Sequence, residues 1–229
     1  MNAQTIMICS GKGGTGKSTV SVLLGAQLGA WSRRVLLIEL DSGLRSVDMI
    51  AGVYGKTVYD IEDVLCGRCD GSKAIVPSPL YPGLSVISAP YEGGEVRAAP
   101  LAAGGGAPFT AANRLADRAL VVLTPDPVAL RDGRIVADAL LQSGRPASAV
   151  RLVMNRVSRS SFGKDAAVFD LDECIDTVGL QLIAVIPESR TLQRAGAAGT
   201  ALPQDCPAAI AGHALAGRIL GERIPLTCF

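Results

Sequence analysis

Gly11-Lys12-Gly13-Gly14-Thr15-Gly16-Lys17-Ser18 decides how this 229-residue chain is read. The eight residues match the pattern G-x-x-x-x-G-K-[ST] and stand between a short apolar run, Thr5–Ser10, and a segment with helical spacing. Val20, Leu23, Leu24 and Leu28 recur on one face and predict a helix from about Lys17 to Ala30. Each part of the pattern has a physical task. Glycines let the backbone curl until successive N–H groups point inward as an anion nest. A helix N-terminus adds positive partial charge. Lys17 would then reach the outer phosphates of a nucleotide, and the Ser18 hydroxyl would ligate magnesium. Gly11, Gly13, Gly14, Thr15, Gly16, Lys17, Ser18 and Thr19 are therefore the candidate phosphate-binding residues.

Gly11, Gly13 and Gly16 also spell G-x-G-x-x-G, with Glu39 at the end of the next strand, which is the dinucleotide-binding fingerprint. A dinucleotide loop has no need for Lys17-Ser18, however, and the residues after Glu39 carry a pattern of another kind.

Outward from the loop, strand and helix alternate. Val35–Glu39 is a continuous apolar run closed by a carboxylate, as expected of a strand covered on both faces. Leu84–Ala89, Ala119–Leu123, Arg151–Asn155 and Gln181–Ile186 are further strand candidates. Helical patterns lie at about Asp132–Gln142 and Leu171–Val178. The alternation predicts an α/β fold, a doubly wound, mostly parallel sheet with helices on both faces. Length suits one domain over residues 1–229. Tyr91–Pro108, rich in Gly, Ala and Pro, reads as an irregular loop.

Apolar residues make up 48% and charged residues 19%, enough for a sizeable core. A net charge of +1 gives no global attraction to nucleic acid or to an anionic membrane, and no basic stripe is visible. No nucleic-acid partner is expected. The N-terminus lacks a basic region followed by a long apolar one, and no stretch approaches the ~18 apolar residues of a membrane span. Six scattered cysteines suit a reducing compartment, so the expectation is a cytoplasmic protein. Cys66-Gly67-Arg68-Cys69 is the one CxxC pair; a zinc site would need two more ligands, and the single histidine, His213, is remote in sequence. Ordinary thiols are expected there.

The extra lysine at Lys12 makes the loop a deviant Walker A motif, and in this it resembles the MinD/ParA family of P-loop ATPases. The resemblance implies ATP and Mg2+ as ligands and a nucleotide-dependent homodimer. Lys12 would cross to the partner's phosphates, supplying charge as an arginine finger does. Glu39-Leu40-Asp41 through Asp48 resembles the family's switch I, which implies that Asp41 orients or deprotonates the attacking water and that Glu39, where the family usually has Asp, lies near the metal. Val58–Ile61 through Ala74–Val76 and the pair Arg131-Asp132 are similar to the MinD branch. Asn155-Arg156 and Ile186-Pro187-Glu188 resemble the segments that flank adenine, implying contacts from Asn155 and Pro187. The function implied is an ATP-hydrolysing switch in division-site placement, with a division inhibitor or activator as partner and the inner face of the membrane as a peripheral location.

Two departures qualify that expectation. The family has a helix and then a strand ending in a Walker B aspartate, both due between Ala89 and Ala119. The acidic residues of that interval, Glu92, Glu95 and Asp117, follow no apolar run. About two dozen residues, a helix and a strand of ordinary length, are lacking. Either a segment is omitted from an ordinary protein or the gene encodes a degenerate copy, a pseudo-ATPase that holds nucleotide without turnover. The segment Gly221–Phe229 is also too short and too weakly basic for the amphipathic membrane helix of many MinD relatives, so membrane association is not expected from it. An iron–sulfur carrier of the same superfamily would have its CxxC near the C-terminal end, unlike Cys66 and Cys69.

Overall fold

In the computed structural model, residues 3–41, 45–91, 107–164, 166–168 and 170–226 are described. The chain begins with β1 (Ile6–Cys9), α1 (Lys17–Ala30), β2 (Val35–Ile38) and α2 (Ser46–Ile50). Next come α3 (Ile61–Leu65), α4 (Gly71–Ala74), β3 (Val76–Pro77), β4 (Leu84–Ile87) and α5 (Ala107–Leu115). It continues through β5 (Arg118–Leu123), α6 (Pro127–Gln142), β6 (Val150–Val157) and α7 (Leu171–Val178). β7 (Leu182–Pro187), α8 (Arg190–Ala198) and α9 (Pro207–Ile219) complete it. The packing divides into two compact units. One comprises Met1–Val20, Ala112–Ser189 and Asp205–Phe229, the other Ser21–Ala111 and Arg190–Gln204.

The first unit holds a parallel sheet in the order β1-β5-β6-β7. Ala119–Leu123 of β5 and Leu152–Met154 of β6 are at most 1% exposed, which explains why both read as unbroken apolar runs. α6 packs on β5 and α9 on β7. α6 starts earlier than its apolar spacing predicts. Asp126 caps it by accepting the Ala129 N–H at 3.0 Å, and Pro127 fills the first helical position, where no backbone donor is needed. Because the strands are parallel, Cys9, Leu123, Asn155 and Pro187 end at the same edge of the sheet, the edge where α/β proteins bind ligands.

The second unit holds a three-stranded sheet, β2-β4-β3, in which β2 and β4 are parallel and the two-residue β3 is antiparallel. Here the sequence reading of β2 needs correction. Leu36 and Ile38 are 44% and 46% exposed, so the strand is not covered on both faces. β2 pairs with β4 alone among the described residues, and alternate side chains face outward. Gly25 and Gly29 let the body of α1 lie close to Leu84 and the Pro82 carbonyl; a Cβ at Gly29 would come within 2.3 Å of that oxygen. α8 packs on α2, Gly196 against Ile50.

The single sheet expected from the sequence is thus described as two sheets, one in each unit. Of the loop expected at 91–108, residues 92–106 lie outside the described residues, whereas α5 begins at Ala107. No strand lies between β4 and β5 among the described residues. Among them, too, no helix is long and apolar enough to cross a membrane.

α6 approaches β5 through Gly133, where a Cβ would meet Leu123 Cδ1 at 2.3 Å and Cγ at 3.1 Å. Leu123 is fully buried and cannot swing away. Gly133→Ala gains about 1 kcal/mol of helix propensity but loses roughly 1–3 kcal/mol to overpacking, so a net destabilisation is expected. Urea unfolding followed by circular dichroism measures it; a midpoint that rises would contradict the packing described.

Candidate functional site

The loop after β1 makes no helix or sheet ladder of its own, so its shape is set by glycine and by its neighbours. Gly14 (φ 82°) and Gly16 (φ 93°) occupy the left-handed region that side chains avoid. Gly11 lies against α6: a Cβ there would be 2.2 Å from the Asp132 carbonyl oxygen. Asn155, 3% exposed at the end of β6, donates its Nδ2 to the Thr15 carbonyl at 2.7 Å. A Cβ at Gly16 would strike that same Nδ2 at 2.3 Å. By contrast, a Cβ at Gly13 or Gly14 would meet nothing within 4 Å, so the loop is open where a ligand would enter.

Lys17, Ser18 and Thr19 form the half-buried first turn of α1, whose ladder starts with Val20 N–H to Gly16 O at 2.9 Å. The Thr15 Oγ1 is buried with no hydrogen-bond partner among the described residues. A glycine-lined opening, an unmatched hydroxyl, a helix N-terminus and Lys17 form a donor set suited to phosphate. Asn155 and Pro187, expected beside adenine, sit at the same sheet edge. Asn155 is seen bracing the loop, and Pro187 is half-buried at the end of β7.

Lys12 is tied within its own chain. Its Nζ lies 3.4 Å from Asp126 Oδ1. Asp126 also accepts the Thr124 hydroxyl at 2.6 Å and caps α6. Burial works to raise the Asp126 pKa, but the hydrogen bonds from Thr124 and Ala129, together with Lys12, hold the carboxyl below its usual range. The sequence reading missed this partner. Its signal was Thr124-Pro125-Asp126-Pro127, a capping aspartate before a first-turn proline. Arg131 and Asp132 form an exposed pair at 3.2 Å, and the Asp132 backbone, rather than its charge, meets the loop.

Glu39 and Asp41 belong to the second unit. Asp41 is exposed. Glu39 is 6% exposed, accepts the Val47 N–H at a long 3.4 Å, and has no hydrogen-bond partner for its other oxygen among the described residues. Burial, reinforced by Asp48 and Asp41, pushes its pKa from 4.5 to about 7, against the opposing pull of Val47 and Arg45. Behind it lies a buried pair the sequence did not single out. Arg45 Nε stands 2.8 Å from Asp48 Oδ2 but off the line of a hydrogen bond, and Ser88 donates to Asp48 Oδ1 at 2.6 Å. Arg45, in the left-handed region at φ 45°, stacks on Tyr91 with 4.1 Å to the ring centre.

Cys66 is exposed and Cys69 half-buried; burial raises the Cys69 thiol. No group of three or more His, Cys, Asp or Glu able to hold a metal is found among the described residues.

The family model for the CobQ/CobB/MinD/ParA nucleotide binding domain matches residues 6–202. The septum site-determining protein MinD of Bacillus subtilis is 32% identical over 97% of this chain and 91% of its own length. Its alignment runs over 247 positions, more than the 229 residues here, so that relative has residues with no counterpart in this chain. Among solved structures, the MinC:MinD cell division protein complex of Aquifex aeolicus aligns with a TM-score of 0.85 at 30% identity, covering 99% of both chains. MinD of Pyrococcus horikoshii, complexed with Mg-ADP, aligns at 0.80 with 23% identity over 96% of this chain and 99% of its own, a likeness of fold.

The Glu39 carboxyl gives folding a pH dependence of definite sign. Below pH 4.5 the folded and unfolded chains both carry its proton. Between 4.5 and about 7 only the unfolded chain ionises, so stability falls as pH rises, by on the order of 3 kcal/mol in all. Glu39→Gln keeps the acceptor and removes the charge. The variant is expected to be more stable than the natural chain at pH 8, with the difference vanishing well below pH 4.5, measured by urea unfolding at both ends of that range. Equal stability at pH 8 would contradict the buried-carboxyl reading.

Proposed function

Since the chain belongs to the MinD/ParA family of nucleotide-binding proteins, we propose that it binds Mg-ATP at the Gly11–Thr19 loop and acts as a MinD-like, ATP-hydrolysing dimerisation switch in cell-division site placement. One observation carries the reading: the loop is held open and in shape by Asn155 and by the close approach of Asp132 to Gly11. The names of the relatives, septum site-determining proteins and a MinD seen with MinC, support the division role and a division-inhibitor partner. The family model spans both packing units, which supports residues 1–229 as one functional domain.

In this reading the loop N–H groups and Lys17 bind the phosphates, and Ser18 and Glu39 serve magnesium. Magnesium, when bound, supplies charge neutralisation at the outer phosphates. A cation would also hold Glu39 ionised despite its burial. Asp41 orients or deprotonates the attacking water, and Asn155 and Pro187 flank the base. Lys12 leaves Asp126 and reaches the phosphates of a second copy; the exposed side chain and single long contact make that exchange inexpensive. The product of the hydrolysis is ADP with phosphate.

A second reading has its own support. No strand between β4 and β5 bears a Walker B aspartate among the described residues, and the Bacillus relative has residues lacking here. A nucleotide-holding scaffold without turnover would keep the loop and lose the chemistry.

Calorimetry with Mg-ATP is expected to detect binding by the natural chain and a loss of about a hundredfold or more in Lys17→Ala, since a buried charge pairing of roughly 3 kcal/mol disappears. Lys12→Ala should bind within severalfold of the natural chain yet fail to dimerise with a slowly hydrolysed ATP analogue in sedimentation velocity. Phosphate release separates switch from scaffold. Absence of ATP binding by the natural chain would sink both readings, and an unchanged dimer in Lys12→Ala would remove the crossing lysine.

A further inference from the structure

A cavity of about 180 Å³ lies at the other edge of the first unit's sheet, where the parallel strands begin. Its walls include Ile6 of β1, Arg118 of β5, Arg151 of β6, Ile183 of β7, Arg218 of α9 and the exposed Ser148. Three arginines line it and, among the described residues, no carboxylate does. Asp117, the acid nearest Arg118 in sequence, is occupied by the Thr5 N–H at 2.7 Å and is not a lining residue.

The arginines are fixed in place by carbonyls. Arg118 Nη1 donates to Ile219 O at 3.1 Å, and Arg151 Nη1 to Ala147 O and Val150 O at 2.8 and 2.9 Å. Arg218 donates Nη1 to Ile183 O and Nε to Ile224 O, both at 2.9 Å, and Nη2 to Pro225 O. Carbonyl contacts position a guanidinium without cancelling its charge. Neither Arg118 nor Arg151 forms an ion pair among the described residues, and each uses one nitrogen of a five-donor fork. Arg118 and Arg151, fixed beside one hollow, repel each other until an anion enters. Planar forks suit the tetrahedral oxygens of a phosphoryl group, which they can bind two at a time.

We propose that this cavity is a second anion site, distinct from the Gly11–Thr19 loop, which takes a phosphoryl group between Arg118, Arg151 and Arg218. The group comes from a soluble phosphate compound or from a phospholipid headgroup. The site stands whether or not the loop binds nucleotide, because its residues and its sheet edge are different.

Inorganic pyrophosphate titrated into the 15N-labelled full chain tests it. Saturable shifts are expected at the amides of Ile6, Arg151 and Ile183, in addition to any at the loop. Arg118→Gln/Arg151→Gln should weaken the cavity shifts by about tenfold or more and leave those of Gly13–Ser18 unchanged. Ser148→Glu keeps every arginine tether while adding a negative charge at the wall, and should weaken them as well. Shifts confined to the loop, or cavity shifts equally strong in both variants, overturn the proposal. Co-sedimentation with phosphatidylglycerol–phosphatidylcholine vesicles, abolished by Ser148→Glu and absent with phosphatidylcholine alone, assigns the phosphoryl group to a lipid. Cavity shifts with pyrophosphate but no co-sedimentation assign it to a soluble compound.

Discussion

The hydrogen bond from Asn155 to the Thr15 carbonyl is the constraint on which the phosphate loop rests. The six residues Gly11–Gly16 ahead of α1, four of them glycine, have no regular structure to order them, and glycine loses more freedom on folding than any other residue. Their shape has to be imposed from outside. The end of β6 does so through a buried amide, and the start of α6 does so through a backbone contact that tolerates no side chain at Gly11. One prop stands on the parallel sheet and the other on the helix packed against it, which explains why a rigid core and a flexible sequence coexist within a few residues.

The two units handle charge differently. Around the loop, the charges are exposed and exchangeable: Lys12 is held by one long contact to a carboxylate that has other partners. In the second unit Glu39, Asp48 and Arg45 are buried, and each has at least one polar atom without a hydrogen bond among the described residues. Breaking a buried pair leaves an uncompensated charge, whereas breaking an exposed one costs little. The first arrangement suits a side chain that changes partners. The second suits a segment whose ionisation is coupled to what lies next to it.

Much of this was legible in the sequence, and for identifiable reasons. α1 was readable because its start is a motif and its length follows from apolar spacing; β5, β6 and β7 were readable because strands buried on both faces leave unbroken apolar runs. β2 carries the same signature, yet Leu36 and Ile38 are exposed, because composition reports what a strand is able to bury rather than whether a neighbour is there. The apolar period starts α6 several residues late, because capping by Asp126 and Pro127 lies outside it. The tie between Lys12 and Asp126 spans 114 residues, and the bracing by Asn155 spans 140; no local pattern encodes contacts at that separation. The relatives' names and the family model agree with the family that the loop motif points to.

The glycines of the loop divide into two sorts. At Gly11 and Gly16 a side chain would collide with the protein itself, so the fold demands glycine there regardless of use. At Gly13 a side chain would collide with nothing, and a less flexible residue would even reduce the entropy lost on folding. Selection for stability alone would therefore let Gly13 drift. A lineage that stopped using the loop would be expected to replace Gly13 first while keeping Gly11 and Gly16, so the order in which these glycines decay would record the loss of the ligand ahead of the loss of the fold.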